Sequence, residues 1–399
     1  MPRVTPAWKV VFALMFMQTV SSGLGFYNMS VYVSELASQM QAPLASLSFA
    51  VSLFFIAGGI AGIYVARLMD RVDIRWIMVG GALTGGIALA GVGFVDNLPA
   101  LYAMFILFGL GNTGVSLVVS TTLITRWFPG PERAVALSVA STGLSLGGVT
   151  LTPLTALLFN NIGVPATMPW LGLMFFFLVL PLALFVIKMP VQAAGVVTDG
   201  AQLIRGYRHA IRQRFFVMLS LGYLSCMAAQ VGGIAHLYGR IENLADFSMA
   251  SYGIQTLSIC SILGRFAGGW IAARIQIRTF TLGAICVQAV GLLLMSIASG
   301  PAAALFATAL FGLSVGNLLM SQPLWLAHAY SGEVYPRVFA MANALSVIGV
   351  AAGPFFMGWA VDALDYKAAF LLAFVFSVLA CVFFIFSGTV RLQIESNKG

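Results

Sequence analysis

Two stretches decide the fold: ARLMDRVDIR, residues 66–75, and GWIAARIQIR, residues 269–278. Each is a short basic segment set between long apolar runs. Arg71 and Arg274 lie 203 residues apart, as do Arg75 and Arg278, Gly80 and Gly283, and the triplets Phe108-Gly109-Leu110 and Phe311-Gly312-Leu313. Arg133 and Arg337 are 204 apart, consistent with one inserted residue. One match is weak. A near-constant offset of about half the 399-residue chain marks an internal repeat.

The apolar runs around these loops read as membrane spans. Hydrophobic residues make up 60% of the chain and charged residues 8%, where a soluble domain carries about 25% charged. Runs long enough to cross as helices fall at 9–36, 44–66, 76–95, 98–125, 133–160, 166–188, 214–238, 247–273, 279–299, 301–328, 338–361 and 367–389. The expected fold is all-α: twelve transmembrane helices in two six-helix repeats. The expected parts are an N-terminal half (1–188), a cytoplasmic central loop (189–213) and a C-terminal half (214–399). Within that loop, IRGYRHAIRQR suits either a basic amphipathic helix on the membrane surface or a solvated linker.

Charge gives the orientation. With the N-terminus in the cytoplasm, 17 of the 20 Lys and Arg face inside, and only Arg240 and Lys367 face outside. That asymmetry predicts a plasma (inner) membrane protein with both termini cytoplasmic. The net charge of +8 is spread over short loops, so nucleic acid is not an expected partner. No cleavable signal peptide is expected, because the first apolar run continues as a span. The four cysteines fall in apolar spans without metal spacing and read as small buried hydrophobes. No metal site, cofactor motif or enzyme nucleophile–base cluster stands out.

The twentieth cation is Arg265, in the apolar run from Phe247 to Ala273. It lies nine residues before Arg274, which marks the membrane edge. That length of helix covers roughly 13–14 Å, so the guanidinium falls near the midplane of a hydrocarbon core about 30 Å thick. No Asp or Glu is expected in any span to neutralise it. An unpaired intramembrane cation is costly and points to function. An anionic substrate offsets the cost most simply, since a guanidinium holds a carboxylate through two parallel hydrogen bonds.

The two loops resemble degraded copies of the G-x-L-x-D-R-x-G-R loop of the major facilitator superfamily. Asp70, Arg71 and Arg75 fit the first copy; Gly269, Arg274 and Arg278 fit the second. The resemblance implies that these residues latch the halves and gate the conformational change; positive-inside charge alone is the plainer alternative. The stretch RWFPGPERAVALSVASTG, Arg126 to Gly143, resembles the entry to span five of monocarboxylate porters and oxalate/formate antiporters. Trp127, Phe128, Arg133, Ala136 and Gly143 carry that likeness. SILGRFAGGW, around Arg265, resembles span eight of the same group, where an arginine binds the substrate carboxylate. The chain departs from the group at three places. Ser261 replaces an acid one turn before the arginine, Tyr27 and Asn28 stand where a lysine is usual in span one, and span eleven has no second cation.

Polar residues at helical spacing complete the expected site: Ser261, Asn28, Tyr27, Asn112, Gln230, Asn317 and Asn343, with Ser258 on the Arg265 face. Small polar residues also join membrane helices together, so each has a structural alternative. Arg133 joins the gating set, and His236 is the candidate proton relay. The expected function is secondary active transport of small organic anions, monocarboxylates foremost, by proton symport or anion exchange. Export of drugs or other neutral or cationic molecules on the same fold is the alternative.

Overall fold

The computed structural model describes residues 6–69, 71–128, 132–188, 207–330 and 334–388. These are helical throughout, apart from turns. Among the described residues, nine segments are long and apolar enough to cross a membrane. One of them, Val135–Val186, has 52 residues and doubles back at Gly163, whose φ of +76° suits glycine alone. It therefore supplies spans 5 and 6. Span 4 is divided, Leu98–Thr113 and Leu117–Trp127, and span 8 is Phe247–Ala272. The described residues thus form twelve spans. The protein is a multi-pass integral membrane protein.

Local chemistry sets several helix starts. Asp73 accepts from Arg75 N, Asn97 from Ala100 N, Asp246 from Met249 N and Asp365 from Ala368 N. Each side chain satisfies an amide that has no partner within its helix. Span 1 is interrupted: Pro6–Ser22 passes through a π turn, Gly23–Tyr27, into Met29–Met40. Span 4 loses its regular bonding at 114–116. Irregular backbone at membrane depth is tolerated where it is packed in protein or lines a cavity.

The repeat is visible in the packing. A side chain at Gly109 in span 4 would collide with the Phe54 carbonyl in span 2, and one at Gly312 in span 10 with the Leu257 carbonyl in span 8. Both members of the second contact are 203 residues after those of the first. Gly143 and Gly147 of span 5 likewise abut Met15 and Thr19 of span 1; Gly349 and Gly353 of span 11 abut Leu224 and Ala228 of span 7. At the loops, Arg75 Nε donates to Ile187 O (2.9 Å) and Arg278 Nη2 to Ile385 O (2.7 Å). Each arginine caps the last helix of its own half, where terminal carbonyls lack helical partners.

Between the halves, span 2 packs on span 11 and span 5 on span 8. A cluster of cross-half hydrogen bonds lies at the end that carries the turns between spans 1 and 2, 7 and 8, and 11 and 12. Ser30 Oγ accepts from Tyr238 N (2.8 Å), and Ser34 Oγ donates to Glu242 (2.6 Å). Both oxygens of Asp362 accept from the first amides of span 2, Leu44 N (3.0 Å) and Ala45 N (2.7 Å). That end is sealed.

Candidate functional site

Arg265 reaches its position because span 10 has no side chain in the way. A methyl at Gly316 would lie 2.8 Å from Arg265 Cδ, and closer still to Cγ and Nε. Spans 8 and 10 meet so tightly because Gly264 and Gly312 press on backbone. The guanidinium crosses this seam toward the other half, and Nη1 donates to Ser141 O of span 5 at 2.7 Å. No carboxylate of the described residues pairs with it, and the structure gives its other N–H groups no protein acceptor among them. A guanidinium has five donors in a fixed fork, so most of its capacity stays free.

Arg265 borders a cavity of about 310 Å³ between the halves. Spans 1, 2, 4 and 5 contribute residues including Ser21, Ser22, Tyr27, Phe55, Asn112, Thr113 and Leu144; spans 10 and 11 contribute Val315, Leu319, Val347 and Val350. Among the described residues, Arg265 is the one charged residue in its wall. A smaller space of about 20 Å³, lined by Ser138, Ser141, Thr142, Ile262, Phe266 and Met320, lies against the same arginine. Such a space holds about one water. Twelve helices in two repeated halves, with a polar site at their interface, form a known transporter architecture. Residues 15–333 match the family model of the Major Facilitator Superfamily. The chain belongs to that superfamily.

Relatives of this facilitator are distant and varied. The uncharacterized MFS-type transporter YcxA of Bacillus subtilis (strain 168) is 25% identical over 284 residues, 70% of this chain and 69% of that one. An oxalate:formate antiporter of Oxalobacter formigenes is 28% identical over 277 residues, 66% of this chain and 61% of that one. The multidrug resistance protein MdtG of Dickeya zeae (strain Ech586) is 25% identical over 381 residues, 93% and 90% of the two chains. Among solved structures, a bacterial homolog of the human lysosomal transporter Spinster, inward-facing and unoccupied, superimposes with a TM-score of 0.77. It is 16% identical and covers 96% of this chain and 97% of its own. That likeness is one of fold. The superfamily is one of transporters, and two of these relatives are named as a transporter and an antiporter; this facilitator is a transporter rather than an enzyme.

The expected site residues separate into two groups. Arg265, Tyr27 and Asn112 line the cavity. Asn112 is held there by Ser21 Oγ, which donates to its Oδ1 at 2.8 Å. The others lie elsewhere. Asn28 is buried, donates to Thr155 Oγ1 (2.7 Å) and Tyr32 Oη (3.2 Å), and fixes the break of span 1 against span 5. Ser261 is buried 3.4 Å from Ser145 Oγ across the halves. Asn317 donates to Leu313 O of its own helix (2.9 Å) and packs on Gly268. Gln230 is buried, and neither of its polar atoms has a partner among the described residues. Asn343 is exposed. Ser258 sits against Gly148 beside Tyr27, its hydroxyl buried and without a hydrogen-bond partner among the described residues.

His236 is placed in the sealed end, not in the cavity. Its Nε2 lies 3.1 Å from Ser48 Oγ and 3.0 Å from Pro354 O, joining spans 7, 2 and 11. One acid does fall inside an expected span: Glu35, near the Ser34–Glu242 contact. Of the gating set, Asp70 lies outside the described residues. Arg75 and Arg278 bond within their own halves, and Arg274 lies over the Trp270 ring (3.7 Å) and donates to its carbonyl (2.8 Å). Arg71 and Arg133 are exposed.

Three features went unread in the sequence. The apolar cavity wall has the composition of a lipid-facing surface, so periodicity does not mark it. Gly316 has the look of any packing glycine. Arg240, counted as an outside loop charge, is 3% exposed. It donates to Met295 O (3.4 Å), Ser296 O (3.3 Å) and Ala298 O (2.7 Å), the carbonyl end of span 9.

Proposed function

We propose that this facilitator carries small organic anions, monocarboxylates foremost, as a secondary active transporter. The observation that supports this reading is the state of Arg265. It is a cation at membrane depth beside a cavity between the halves, and among the described residues it has one hydrogen bond to protein, leaving its other donors without a protein acceptor there. Arg240 shows what a structural arginine looks like in this chain: its guanidinium donates to three carbonyls. A carboxylate in the cavity would complete the fork of Arg265 with two parallel charge-assisted bonds.

Alternating access follows from the seal. With the termini in the cytoplasm, the sealed end faces outside and the cavity is reached from the cytoplasm. Rocking one half on the other would break the Asp362 and Glu242 contacts and expose the same arginine to the opposite side. Arg71, Arg133, Arg274 and their loop neighbours are proposed to meet when the inner end closes. His236 would then act through the seal rather than by touching substrate. Coupling is by proton symport or by exchange of one acid for another.

The decisive measurement is uptake by proteoliposomes of formate, acetate, lactate, pyruvate and oxalate, with Arg265→Lys and Arg265→Gln beside the wild type. Hydrogen bonds to charged groups are worth about 1.5–3 kcal/mol. Arg265→Gln is therefore expected to lower kcat/KM for carboxylates on the order of 10- to 150-fold. Lysine keeps the charge but loses the fork, so it falls between. Carboxylate uptake that survives Arg265→Gln unchanged refutes the proposal. Export of neutral or cationic molecules is the second reading. The largely apolar wall and the similarity to a multidrug resistance protein favour it. It requires transport that is indifferent to Arg265.

A further inference from the structure

The cavity says more about the substrate than its charge. Its wall is built in two parts. One part is polar: Arg265, with Tyr27, Asn112 and the hydroxyls of Ser21, Ser22, Thr113 and Ser116. The other, larger part is apolar, and Phe26, Phe55, Leu144, Val315, Leu319 and Val347 take part in it. Phe26 and Phe55 meet edge to face with centroids 6.0 Å apart, and Phe55 meets Phe54 in the same way at 5.0 Å. A third ring entering beside them would extend that pattern, which aromatic groups favour.

Size points the same way. A cavity of about 150 Å³ lined by apolar side chains takes one benzene. This one measures about 310 Å³, room for a single ring, its carboxylate and a few waters. Formate or acetate would fill a small part of it and leave the apolar wall facing water. A dicarboxylate would bring a second charge to a wall in which, among the described residues, Arg265 is the one charged residue. Burying that charge without a partner is heavily disfavoured.

We infer that the acid carried by this protein is a monocarboxylate with an apolar body, of the size of an aromatic ring or a branched chain of roughly six to ten carbons, its carboxylate on Arg265 and its body against Phe26, Phe55, Leu319 and Val347. The inference rests on the anion reading above and specifies the rest of the molecule. Recognition of the body is sequence-tolerant in the chemical sense: shape and burial select it, without directed hydrogen bonds.

The test uses the full chain in proteoliposomes, with labelled benzoate as the probe and unlabelled acids as competitors. Benzoate and 4-methylpentanoate are expected to compete at concentrations at least tenfold below those needed for acetate, formate or oxalate. Val347→Thr keeps the shape of the side chain but adds a hydroxyl. It is expected to reduce the benzoate-over-acetate preference several-fold without changing the effect of Arg265→Gln. Benzamide, the neutral analogue, is expected to compete at least tenfold less well than benzoate. If formate, acetate or oxalate competes as well as benzoate while Arg265→Gln abolishes all uptake, the apolar-body inference is overturned and the anion reading stands. If benzamide competes as well as benzoate and Arg265→Gln changes nothing, the anion reading itself is overturned. A chain that takes up none of these acids refutes both.

Discussion

Spans 2 and 4 of the first half and spans 8 and 10 of the second are built on one plan and carry different chemistry. The crossing is shared to the residue: Gly109 on the Phe54 carbonyl, Gly312 on the Leu257 carbonyl. The faces that flank it are not. Where the first half has Phe55, Gly58 and Gly62, the second has Ser258, Ser261 and Arg265 at the same offset. Repetition therefore accounts for the scaffold, and departure from repetition accounts for the site. The first half supplies aromatic surface and the second supplies the cation, so a molecule lying between them meets two unlike walls.

The shared crossings should fail together and hardest. Gly109→Val and Gly312→Val each push a branched side chain into backbone, which cannot move aside as a flexible side chain does. Overpacking of this kind costs about 1–3 kcal/mol and sometimes more. Both variants are expected to melt well below the wild type in detergent, or to fail to accumulate as monodisperse protein, and by similar amounts. A normal melting temperature for one of them would show that the two crossings are not equivalent.

The unshared positions should do the reverse, sparing the fold and harming transport. Gly316→Ala places a methyl where the Arg265 side chain now lies. The long side chain has rotamers to move into, so the melting temperature should shift little. The guanidinium, however, should leave the cavity wall, and a misplacement of about 1 Å is enough to lower rates by up to 100-fold. A drop in carboxylate kcat/KM on the order of tenfold is expected. Unchanged kinetics would mean that span 10 does not position the arginine. Arg240 offers the opposite control. Arg240→Gln leaves carbonyls at the end of span 9 without their donor, at about 1–3 kcal/mol for each one that water does not reach. Thermal stability is expected to fall while the effect of Arg265→Gln on transport is retained.

The scaffold was more legible than the site for a physical reason. A 203-residue offset survives in glycines and loop arginines because close crossings and helix-end carbonyls demand those residue types. Arg265 was legible because a charge at membrane depth has few innocent explanations. The amides were not. Asn28, Gln230 and Asn317 have the right type and spacing to line a cavity. Yet Asn28 braces a broken helix, and Asn317 returns to its own backbone. Helical periodicity gives the face a residue occupies, not which neighbour that face meets. The π turn at Gly23–Tyr27 changes the helical register at its own end, so that Tyr27 lines the cavity while the next residue, Asn28, turns to span 5; Asn112 lines the cavity just before the break at 114–116. The orientation of the termini and the boundaries of the two halves rest on charge and pattern, and proteolysis or labelling from one side of sealed vesicles tests them.

The smallest effects come from the repeated loop arginines, and they separate two roles for one motif. Arg75 and Arg278 each bond a carbonyl at the end of their own half's last helix. If capping is their whole contribution, Arg75→Lys and Arg278→Lys should each cost only about 0.5–1.5 kcal/mol, the net value of one hydrogen bond. The Arg278 contact is the more exposed of the two, so water replaces it more readily and its variant should lie at the lower end. Both should transport at close to the wild-type rate, because the contacts do not cross between halves. A gating role makes a different demand. The arginine must find a new partner when the inner end closes, and its loss must alter the balance of the two states. Initial rates of uptake and efflux then change unequally in the lysine variants while the melting temperature barely moves. Measured side by side, rates and melting temperatures decide whether these arginines hold each half together or time its motion against the other.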